Sequence, residues 1–214
     1  MNIYSNPGSG LSTSAIAGIL RPFYSGLSEV QLGAIQDYIA LLLKWNQSMN
    51  LTAIEDAEEI VARHFGESLF AASLVKIGES RLADVGTGAG FPGMAIKIAF
   101  PGARLTLFES SAKKRAFLAE VARELKLSDV NIMRGRYEEF SVDDYDFVCS
   151  RALGNYSVFI PWALRSLRPG GQVVLWLGAD ESVRISRKTG FHWESPVPIP
   201  GSRKRVILLG RKQP

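Results

Sequence analysis

A glycine-rich segment at residues 82–93, with the sequence LADVGTGAGFPG, carries the clearest chemical signal in the chain. A short apolar run leads into three alternating glycines, Gly86, Gly88 and Gly90, and Pro92 then stands where a helix would begin. Proline is favoured in the first turn of a helix, and the unpaired N–H groups of that turn point toward a ligand. The segment therefore predicts a nucleotide-type loop in which the backbone comes close to a bound cofactor.

An acidic residue follows this loop at the end of the next apolar run. Glu109 lies 23 residues after Gly86, and a carboxylate there can accept hydrogen bonds from the hydroxyl groups of a ribose. Both NAD and S-adenosylmethionine would use such a residue. The GxGxxG pattern of dinucleotide sites is present but is weak evidence alone. Asp84 before the glycines and the GxGxG spacing favour S-adenosylmethionine, and a dehydrogenase of this length would have no room for a substrate domain.

The elements that must position this loop alternate between strands and helices. After Ser80, five short apolar runs follow, and segments able to form helices separate the first four of them. This βα repetition predicts a parallel sheet with helices on both faces, in the Rossmann-like α/β class. The predicted helices span about 92–100, 111–127 and 156–167. Two further β-like runs flank a PIPGS turn, and we expect them to pair as a C-terminal β-hairpin.

Two helices are predicted before this region. Apolar residues recur at three- and four-residue steps from Val30 to Trp45, and Ser28 suits the N-cap of that helix. A second helix is predicted from about Asp56 to Val75, with acidic residues in its first turn. The first eleven residues are typical of a frayed terminus. We expect one structural unit, in which an N-terminal helical extension at residues 1–80 packs on a core at residues 81–214.

The length and composition fit a globular protein of one domain. The chain has 214 residues, of which 46% are hydrophobic, and these proportions exclude a mainly disordered protein. The net charge of +4 is unevenly distributed: residues 1–180 carry 17 basic and 19 acidic side chains, whereas residues 181–214 carry 8 and 2. We therefore expect a near-neutral body with a basic C-terminal segment that faces the mouth of the cofactor site.

The cysteine and histidine content excludes other classes of protein. A single cysteine, Cys149, cannot form an internal disulfide, and only two histidines could join it in a metal site, so no metal is expected. No uncharged apolar run approaches the roughly 18 residues that a membrane span needs. We expect a cytoplasmic protein without a membrane segment, in which Cys149 is a buried, inert thiol.

Several separated motifs resemble one family of enzymes. KWNQSMNLTAI and RHFGES lie in the N-terminal helices, DVGTGAGFPG forms the loop, FESSAKKRAFL follows the second strand, GRYEEF the third, and CSRA the fourth. In this order they are similar to the bacterial 16S ribosomal RNA guanine-N7 methyltransferases, also called the glucose-inhibited division protein B type. The resemblance implies a class I S-adenosylmethionine-dependent methyltransferase fold and guanine N7 as the methyl acceptor. It also implies a cytoplasmic enzyme that acts on 16S rRNA or the small ribosomal subunit, and we expect this enzyme to be a monomer without an obligate protein partner.

The resemblance also assigns residues to the cofactor. It implies contacts from the loop, from the segment after the third strand and from the end of the fourth strand, at Gly86, Phe91, Tyr137, Glu138 and Arg151. The loop itself adds Asp84, Gly88 and Gly90, and the position of a ribose-binding acid after the second strand adds Glu109. Arg151 is the candidate catalytic residue, because a charge at the C-terminal end of a central strand lies where α/β proteins bind ligands. Three roles are open for it: cofactor contact, RNA phosphate contact, or orientation of guanine through O6.

Candidate RNA contacts are basic or imidazole side chains in four segments, namely Arg63, His64, Lys113, Lys114, Arg136 and Arg203. For Arg63 and His64 an ordinary ion pair and a half-buried core histidine are equally good readings. Cations at the start of a helix oppose its macrodipole, which favours phosphate contact for Lys113 and Lys114. The sequence departs from the family at Leu177, where many members have lysine, and at Glu67, where aspartate is usual.

The expected chemistry needs little from side chains. Guanine N7 has a free lone pair and loses no proton on methylation, so no strong general base is required, and orientation is the main task. Methylation of an exocyclic amine favours an Asn/Asp-Pro-Pro-aromatic stretch after the fourth strand, which SRAL replaces here. Two alternatives stay open: a methyltransferase for another RNA or a small molecule, and a non-catalytic RNA- or ribosome-binding protein with the same fold.

Overall fold

The computed structural model describes residues 10–140 and 144–213, and in this part of the chain one sheet of eight strands lies at the centre. The strands are β1 (Arg81–Val85), β2 (Arg104–Glu109), β3 (Val130–Arg134), β4 (Tyr145–Arg151), β5 (Leu167–Gly178), β6 (Phe191–Trp193), β7 (Val197–Pro198) and β8 (Arg205–Lys212). Their order is β3-β2-β1-β4-β5-β8-β6, with β7 also paired to β8. The first five strands are parallel, which confirms the predicted Rossmann-like α/β class.

Helices cover both faces of this sheet. They are α1 (Thr13–Leu20), α2 (Glu29–Met49), α3 (Ala57–Glu59), α4 (Glu67–Ser73), α5 (Gly93–Ala99), α6 (Ala112–Glu124), α7 (Tyr156–Ser166) and α8 (Ala179–Ile185). A π-helical segment, Ile60–Gly66, joins α3 to α4, and a 3₁₀ turn spans Tyr137–Glu139. Alternate strand residues supply two hydrophobic clusters, so that Leu82 packs on one face and Ala83 on the other. Among the described residues, no helix combines the length and the apolarity needed to cross a membrane.

The order in which strands are added to the sheet reverses between β1 and β4, which is the topological switch point of the sheet. The connection after β1 leads to β2 on one side, whereas β4 lies on the other side of β1. In open α/β sheets a ligand binds at the carboxyl ends of the strands where the order reverses. The glycine loop follows β1 and Arg151 ends β4, so both lie at this switch point.

The C-terminal strands pair as the expected β-hairpin, which is also part of the main sheet. β6 and β8 do pair in antiparallel fashion, but β8 also pairs with β5 along its length, from Gln172 opposite Arg211 to Gly178 opposite Arg205. β8 thus lies inside the main sheet, between β5 and β6. Its apolar residues match this central place, because those from Val206 to Leu209 are buried.

The N-terminal helices form as predicted and pack on the sheet domain. Ser28 caps α2 in a capping box with Gln31, and the Gln31 amide also donates to the carbonyl oxygens of Ile98 and Ala99 at the end of α5, at 2.9 and 2.8 Å. Asp56 caps the second helical region through the Glu59 N–H. The core cluster on this side of the sheet contains residues of both α2 and the strands.

One helix was not predicted. α1 has only eight residues, capped by Ser12 through the Ala15 N–H at 3.1 Å, and it buries Ile16 and Leu20. The periodic signal of so short a helix is weak, and tertiary burial accounts for its formation. Of the predicted frayed terminus, residues 1–9 lie outside the described residues.

Tyr38 connects α2 to the glycine loop. Its side chain is completely buried, and its hydroxyl donates to the carbonyl oxygen of Ala89 at 2.6 Å. The next residue, Gly90, has a φ of +91°, and a Cβ atom there would lie 2.2 Å from the Tyr38 hydroxyl oxygen. The helical extension therefore requires glycine at this position and fixes the path of the loop.

We expect Gly90→Ala to be far more destabilising than Gly88→Ala. Both glycines have positive φ, which costs an alanine about 1–2 kcal/mol, but the Cβ at residue 88 would meet only the Gly86 carbonyl oxygen at 4.0 Å. The clash at residue 90 adds about 1–3 kcal/mol. Urea unfolding of both variants measures the difference, and Tyr38→Phe should recover part of the loss in Gly90→Ala. Equal losses in the two glycine variants would contradict this account.

Candidate active site

Asp84 shapes the glycine loop from inside the protein. Its side chain is completely buried, and its Oδ2 accepts hydrogen bonds from the Thr87 hydroxyl at 2.6 Å and the Gly93 N–H at 2.8 Å. Burial raises the pKa of this carboxyl to about 6, against the opposing effect of these two hydrogen bonds. Asp84 thus fixes both ends of the loop, whereas a direct contact with the cofactor stays a prediction.

The outer side of the loop is an open cradle of backbone. Gly86 and Gly88 have φ values of +72° and +60°. A Cβ on Gly88 would have only the Gly86 carbonyl oxygen within 4 Å, and one on Gly86 would lie 3.3 Å from the Leu153 side chain. Glycine therefore keeps free the space that a ligand needs beside the backbone.

Glu109 borders this cradle at the end of β2. The side chain is 7% exposed, and its two oxygens accept one hydrogen bond each, from the Gly88 N–H at 3.0 Å and the Ser111 N–H at 2.8 Å. Each carboxylate oxygen retains a lone pair that can accept from a hydroxyl group. Cradle and carboxylate together fit the ribose end of S-adenosylmethionine, and no cation from a phosphate-binding motif stands in the loop.

Tyr137 and Glu138 lie in the 3₁₀ turn after β3. Tyr137 is nearly buried, with its ring edge-to-face against Trp162 at 5.1 Å. Burial, then the charge of Glu138, raises the pKa of the tyrosine to about 12, so it stays protonated. Glu138 is an ion-pair partner of Arg136 at 3.0 Å. The structure places this turn at the same edge of the sheet as Glu109, because β3 and β2 are parallel neighbours.

Arg151 is held in place by groups from the N-terminal helices. Its Nη1 donates to the Arg63 carbonyl oxygen at 2.9 Å, and its Nη2 contacts the His64 Nδ1 at 2.7 Å. The guanidinium carbon lies 5.8 Å from the centre of the Phe91 ring, within the range of a cation–π contact. The next residue, Ala152, has a φ of +60°, a strained value for a residue that has a side chain. The end of β4 is therefore a fixed, charged point at the switch point.

The neighbours of His64 determine its protonation. Arginine is always a donor, so His64 Nδ1 must accept, and the proton lies on Nε2, which contacts Thr52 Oγ1 at 2.9 Å. Thr52 is fixed in turn by its N–H, which donates to Asn46 Oδ1 at 2.9 Å. Burial, together with the charges of Arg151 and Arg63, lowers the pKa of His64 to about 3. Both nitrogens are thus occupied, and the imidazole is neutral.

Phe91 packs beneath this arrangement. Its ring is 3% exposed, stacks on His64 at 4.7 Å and 16°, and contacts Tyr38 and Phe65. The sequence suggested an apolar surface for the thioether end of the cofactor, but protein side chains already cover most of the ring. Its cofactor contact stays a prediction, and its evident role is to support His64 and Arg151.

A cleft of about 470 Å³ opens beside Arg151. Its wall combines side chains from the N-terminal helices with residues at the ends of β4, β5 and β8, including Arg63, Glu67, Arg151, Tyr156, Trp176 and Arg205. Glu67 is 4% exposed, and its Oε1 accepts from Arg205 Nη2 and Nε at 2.7 and 3.0 Å. The three arginines can bind phosphate groups and the aromatic side chains can stack on a base, so the cleft suits a nucleotide of a nucleic acid.

The predicted RNA contacts lie at this same edge of the sheet. Lys113 and Lys114 begin α6 just after β2, Arg136 follows β3, and Arg203 precedes β8. Arg115 in the same run is instead engaged with the carbonyl oxygens of Glu109 and Ser110. Arg63 forms an exposed ion pair with Glu59 at 2.7 Å, as expected if its role is structural. Contact with RNA stays a prediction for all six predicted residues.

The basic C-terminal segment does not face the site as a whole. The antiparallel direction of β8 places its first residue, Arg205, at the cofactor edge and Arg211 and Lys212 at the opposite edge. Lys188 lies at that opposite edge too, where its carbonyl oxygen accepts from Trp193 Nε1. The expectation that this segment faces the cofactor site was therefore wrong for Lys188, Arg211 and Lys212, and the net charge alone says little about the substrate.

Several residues of the site were missed as functional candidates, namely Tyr38, Asn46, Thr52, Trp176 and, in its cleft role, Glu67. Tyr38 was recognised only as an apolar residue of α2. Two signals were present in the sequence. Asn46 and Thr52 lie in the KWNQSMNLTAI motif, and Glu67 is an acidic residue inside an apolar helical segment, where a buried charge requires a partner.

The remaining candidate groups are inert. Cys149 is 1% exposed, and burial, with the nearby charge of Asp84, raises the pKa of its thiol well above the ordinary value. A thiol of this kind is not a nucleophile. Among the residues that the structure describes, no group of three or more His, Cys, Asp or Glu side chains could hold a metal ion.

Comparisons with known proteins agree with this geometry. Residues 31–191 match the family described as rRNA small subunit methyltransferase G. The chain is 43% identical over 183 residues to the ribosomal RNA small subunit methyltransferase G of Pseudomonas aeruginosa, which covers 82% of this chain and 84% of the relative. Identity to the protein of the same name from Acetivibrio thermocellus is 38% over 172 residues, covering 78% and 71%.

Solved structures are similar in fold. A SAM-dependent methyltransferase from Aquifex aeolicus superimposes with a TM-score of 0.63 at 14% identity, over 76% of this chain and 97% of that one. At this identity the likeness shows the class I methyltransferase fold and nothing finer.

We expect His64 to stay neutral, with its proton on Nε2, from about pH 8 down to about pH 5. The reason is that its pKa in the folded protein, about 3, lies below the ordinary 6.5. Its contribution to stability is therefore complete above pH 6.5 and is lost as the pH falls toward 3. Long-range ¹H–¹⁵N spectra of the imidazole test this. A resonance of His64 that titrates near pH 6.5 would refute the described network.

Proposed function

The chain belongs to the rRNA small subunit methyltransferase G family, and we propose that it transfers the methyl group of S-adenosylmethionine to N7 of a guanine in 16S ribosomal RNA. The observation that carries the proposal is the state of the groups at the switch point. His64 has both nitrogens occupied, and Asp84 is buried with its Oδ2 engaged. The switch point therefore holds a fixed cation and an open cradle, and neither His64 nor Asp84 is free there to act as a general base.

This arrangement suits guanine N7 better than other methyl acceptors. A hydroxyl or exocyclic amine must lose a proton when it is methylated, whereas N7 attacks with a free lone pair and loses none. S-adenosylmethionine, when bound, supplies an electrophilic methyl group. The protein has to align the base, exclude water and hold both partners close. A rigid Arg151 beside a partly enclosed cleft does this without proton transfer.

The cofactor is assigned to the cradle. Gly86 and Gly88 allow the backbone to approach it, Gly90 keeps the loop in its path, and Glu109 accepts from its ribose hydroxyls. The turn at residues 137–138 borders the adenine. Support comes from the open space at Gly88 and the spare lone pairs of Glu109. Asp84 acts by holding the loop through Thr87 and Gly93.

Arg151 is assigned to the acceptor base. Two of its N–H groups are used by the Arg63 carbonyl oxygen and His64, and a guanidinium has five. We assign the remaining donors to guanine O6, the acceptor next to N7, since Arg151 lines the cleft between the cradle and Glu67. His64, Thr52 and Asn46 are positioning residues that act through Arg151.

The RNA backbone is assigned to cations along the cofactor edge of the sheet, Arg63, Lys113, Lys114, Arg136 and Arg203, with His64 acting behind them. They lie on both sides of the switch point at one edge of the sheet. Phosphate contacts of this kind make binding weaker at high salt. We further propose that the protein acts as a cytoplasmic monomer, without an obligate protein partner, on the rRNA or on the small ribosomal subunit.

Mapping of 7-methylguanine tests the proposed function directly. Naked 16S rRNA, small-subunit particles and guanine nucleotides are each incubated with the protein and S-adenosylmethionine labelled in the methyl group. Primer extension after cleavage at 7-methylguanine should then reveal one modified guanine in the rRNA or in the particle. Transfer of label only to the nucleotides would favour a small-molecule enzyme, and an unchanged pattern at every guanine would refute the proposal.

Arg151→Ala should lower kcat/KM for methylation at least about a hundredfold while leaving the protein folded. Arg151→Lys should not restore activity, because a point-like ammonium cannot contact the Arg63 carbonyl oxygen, His64 and a base together. A matched control is Arg168→Ala, which removes an arginine paired with Asp146 at the opposite edge of the sheet. Thermal unfolding checks the fold of each variant, and near-normal turnover by Arg151→Ala would overturn the assignment.

A further inference from the structure

A buried carboxylate with one unused oxygen lines the cleft beside Arg151. Glu67 is 4% exposed, and both contacts from Arg205 go to its Oε1. Oε2 accepts no hydrogen bond from any residue within the described ranges 10–140 and 144–213, although it is not sealed from solvent in the cleft. An acceptor oxygen that opens into the cleft and has no partner there is available to a donor group of a ligand.

The protein holds this carboxylate rigidly. Glu67 begins α4, and its carbonyl oxygen accepts from Trp176 Nε1 at 2.9 Å. Arg205, the first residue of β8, holds the side chain. Trp176 is near the end of β5, so β5 fixes the backbone of Glu67 and the adjacent β8 fixes its carboxylate. An oxygen placed this firmly can select a ligand by its hydrogen-bonding pattern.

We propose that Glu67 selects guanine as the acceptor base, with Oε2 accepting hydrogen bonds from guanine N1–H and the N2 amino group. The inference rests on the function proposed above and adds a residue that determines specificity, together with the edge of the base that it contacts. N7 and O6 lie on one edge of guanine, and N1–H and the amino group follow around the ring. The donors offered to Oε2 are therefore those that N7 methylation leaves free.

The order of groups along the sheet matches the order of atoms around guanine. β1, β4, β5 and β8 are successive neighbours, and they carry the cradle, then Arg151, then the two residues that hold Glu67. Around the ring the order is N7, O6, N1–H and N2. N7 thus faces the cofactor cradle, O6 accepts from Arg151, and N1–H donates to Glu67.

Adenine presents the wrong pattern to these two side chains. It also has an N7 lone pair, so discrimination cannot come from the methylated atom. Its N6 amino group would direct donors at the Arg151 guanidinium, and its N1 lone pair would face the Glu67 carboxylate. Unpaired buried groups of this kind are what allow a site to reject an analogue strongly.

The test replaces one hydrogen-bond donor in the base and one acceptor in the protein. The rRNA, free or in particles as the mapping requires, is prepared with guanosine or inosine at the methylated position. Inosine keeps N7, O6 and N1–H and lacks only the N2 amino group. We expect the wild-type protein to show a kcat/KM at least about tenfold lower for inosine.

Glu67→Gln replaces a hydrogen-bond acceptor by a donor while keeping the size of the side chain. The amide oxygen of the variant side chain can still accept from Arg205, so the NH₂ group takes the place of Oε2 and presents a donor to N1–H. We expect kcat/KM for guanosine to fall at least about tenfold and the guanosine-to-inosine ratio to approach one. The dissociation constant for S-adenosylhomocysteine and the thermal unfolding midpoint should stay near wild-type values.

The matched control is Glu181→Gln, which changes a carboxylate at the rim of the cleft whose partner is Arg184 at 3.1 Å. It should keep the wild-type guanosine-to-inosine ratio. Because every protein acts on the same two RNAs, an effect of inosine on RNA folding would change the ratio equally for all of them. A wild-type protein that methylates guanosine and inosine equally well would overturn the inference, whether or not Glu67→Gln folds. So would a Glu67→Gln protein that keeps the wild-type ratio. Absence of methylation by the wild type would refute the proposed function itself.

Discussion

The rest of the site depends on one constraint, a cation held at the end of β4 among largely buried groups. Arg151 needs partners for its N–H groups, and the sheet does not supply them; the Arg63 carbonyl oxygen and His64 do. A neutral imidazole is the only form of histidine that can accept from arginine, so the charge of Arg151 fixes the state of His64. The hydrogen bonds continue from there: Thr52 Oγ1 accepts from His64 Nε2, and the Thr52 N–H donates to Asn46 Oδ1. The helical extension is therefore part of the candidate active site.

The same extension fixes the cofactor side of the switch point. Tyr38 reaches the carbonyl oxygen of Ala89, and Asp84 holds the other side of the loop through Thr87 and Gly93. The loop is thus hydrogen-bonded to α2 on one side and to β1 on the other, and its open face is available to the ligand. Such a loop requires little reorganisation on binding, which suits catalysis by alignment.

Sequence periodicity was sufficient for most of the fold, because strand and helix patterns are local. It identified α2 from the spacing of residues such as Leu32 and Ile35, and the βα units from β1 to β4. It could not place β8 between β5 and β6, since strand order is decided by pairing over long separations. The same limit applies to the site. Glu109 and Arg151 could be found from their places at strand ends, but the contact of His64 with Arg151 joins residues 87 apart.

The insertion of β8 has a consequence for the order in which the protein matures during synthesis. Arg205 holds Glu67, and β8 is translated after every strand that it pairs with. The glycine loop, Glu109 and Arg151 can therefore adopt their places around the first five strands before the acceptor cleft is complete. In a nascent chain, the cofactor side of the site can form first, and the proposed selection of the base by Glu67 requires that the last strand has docked.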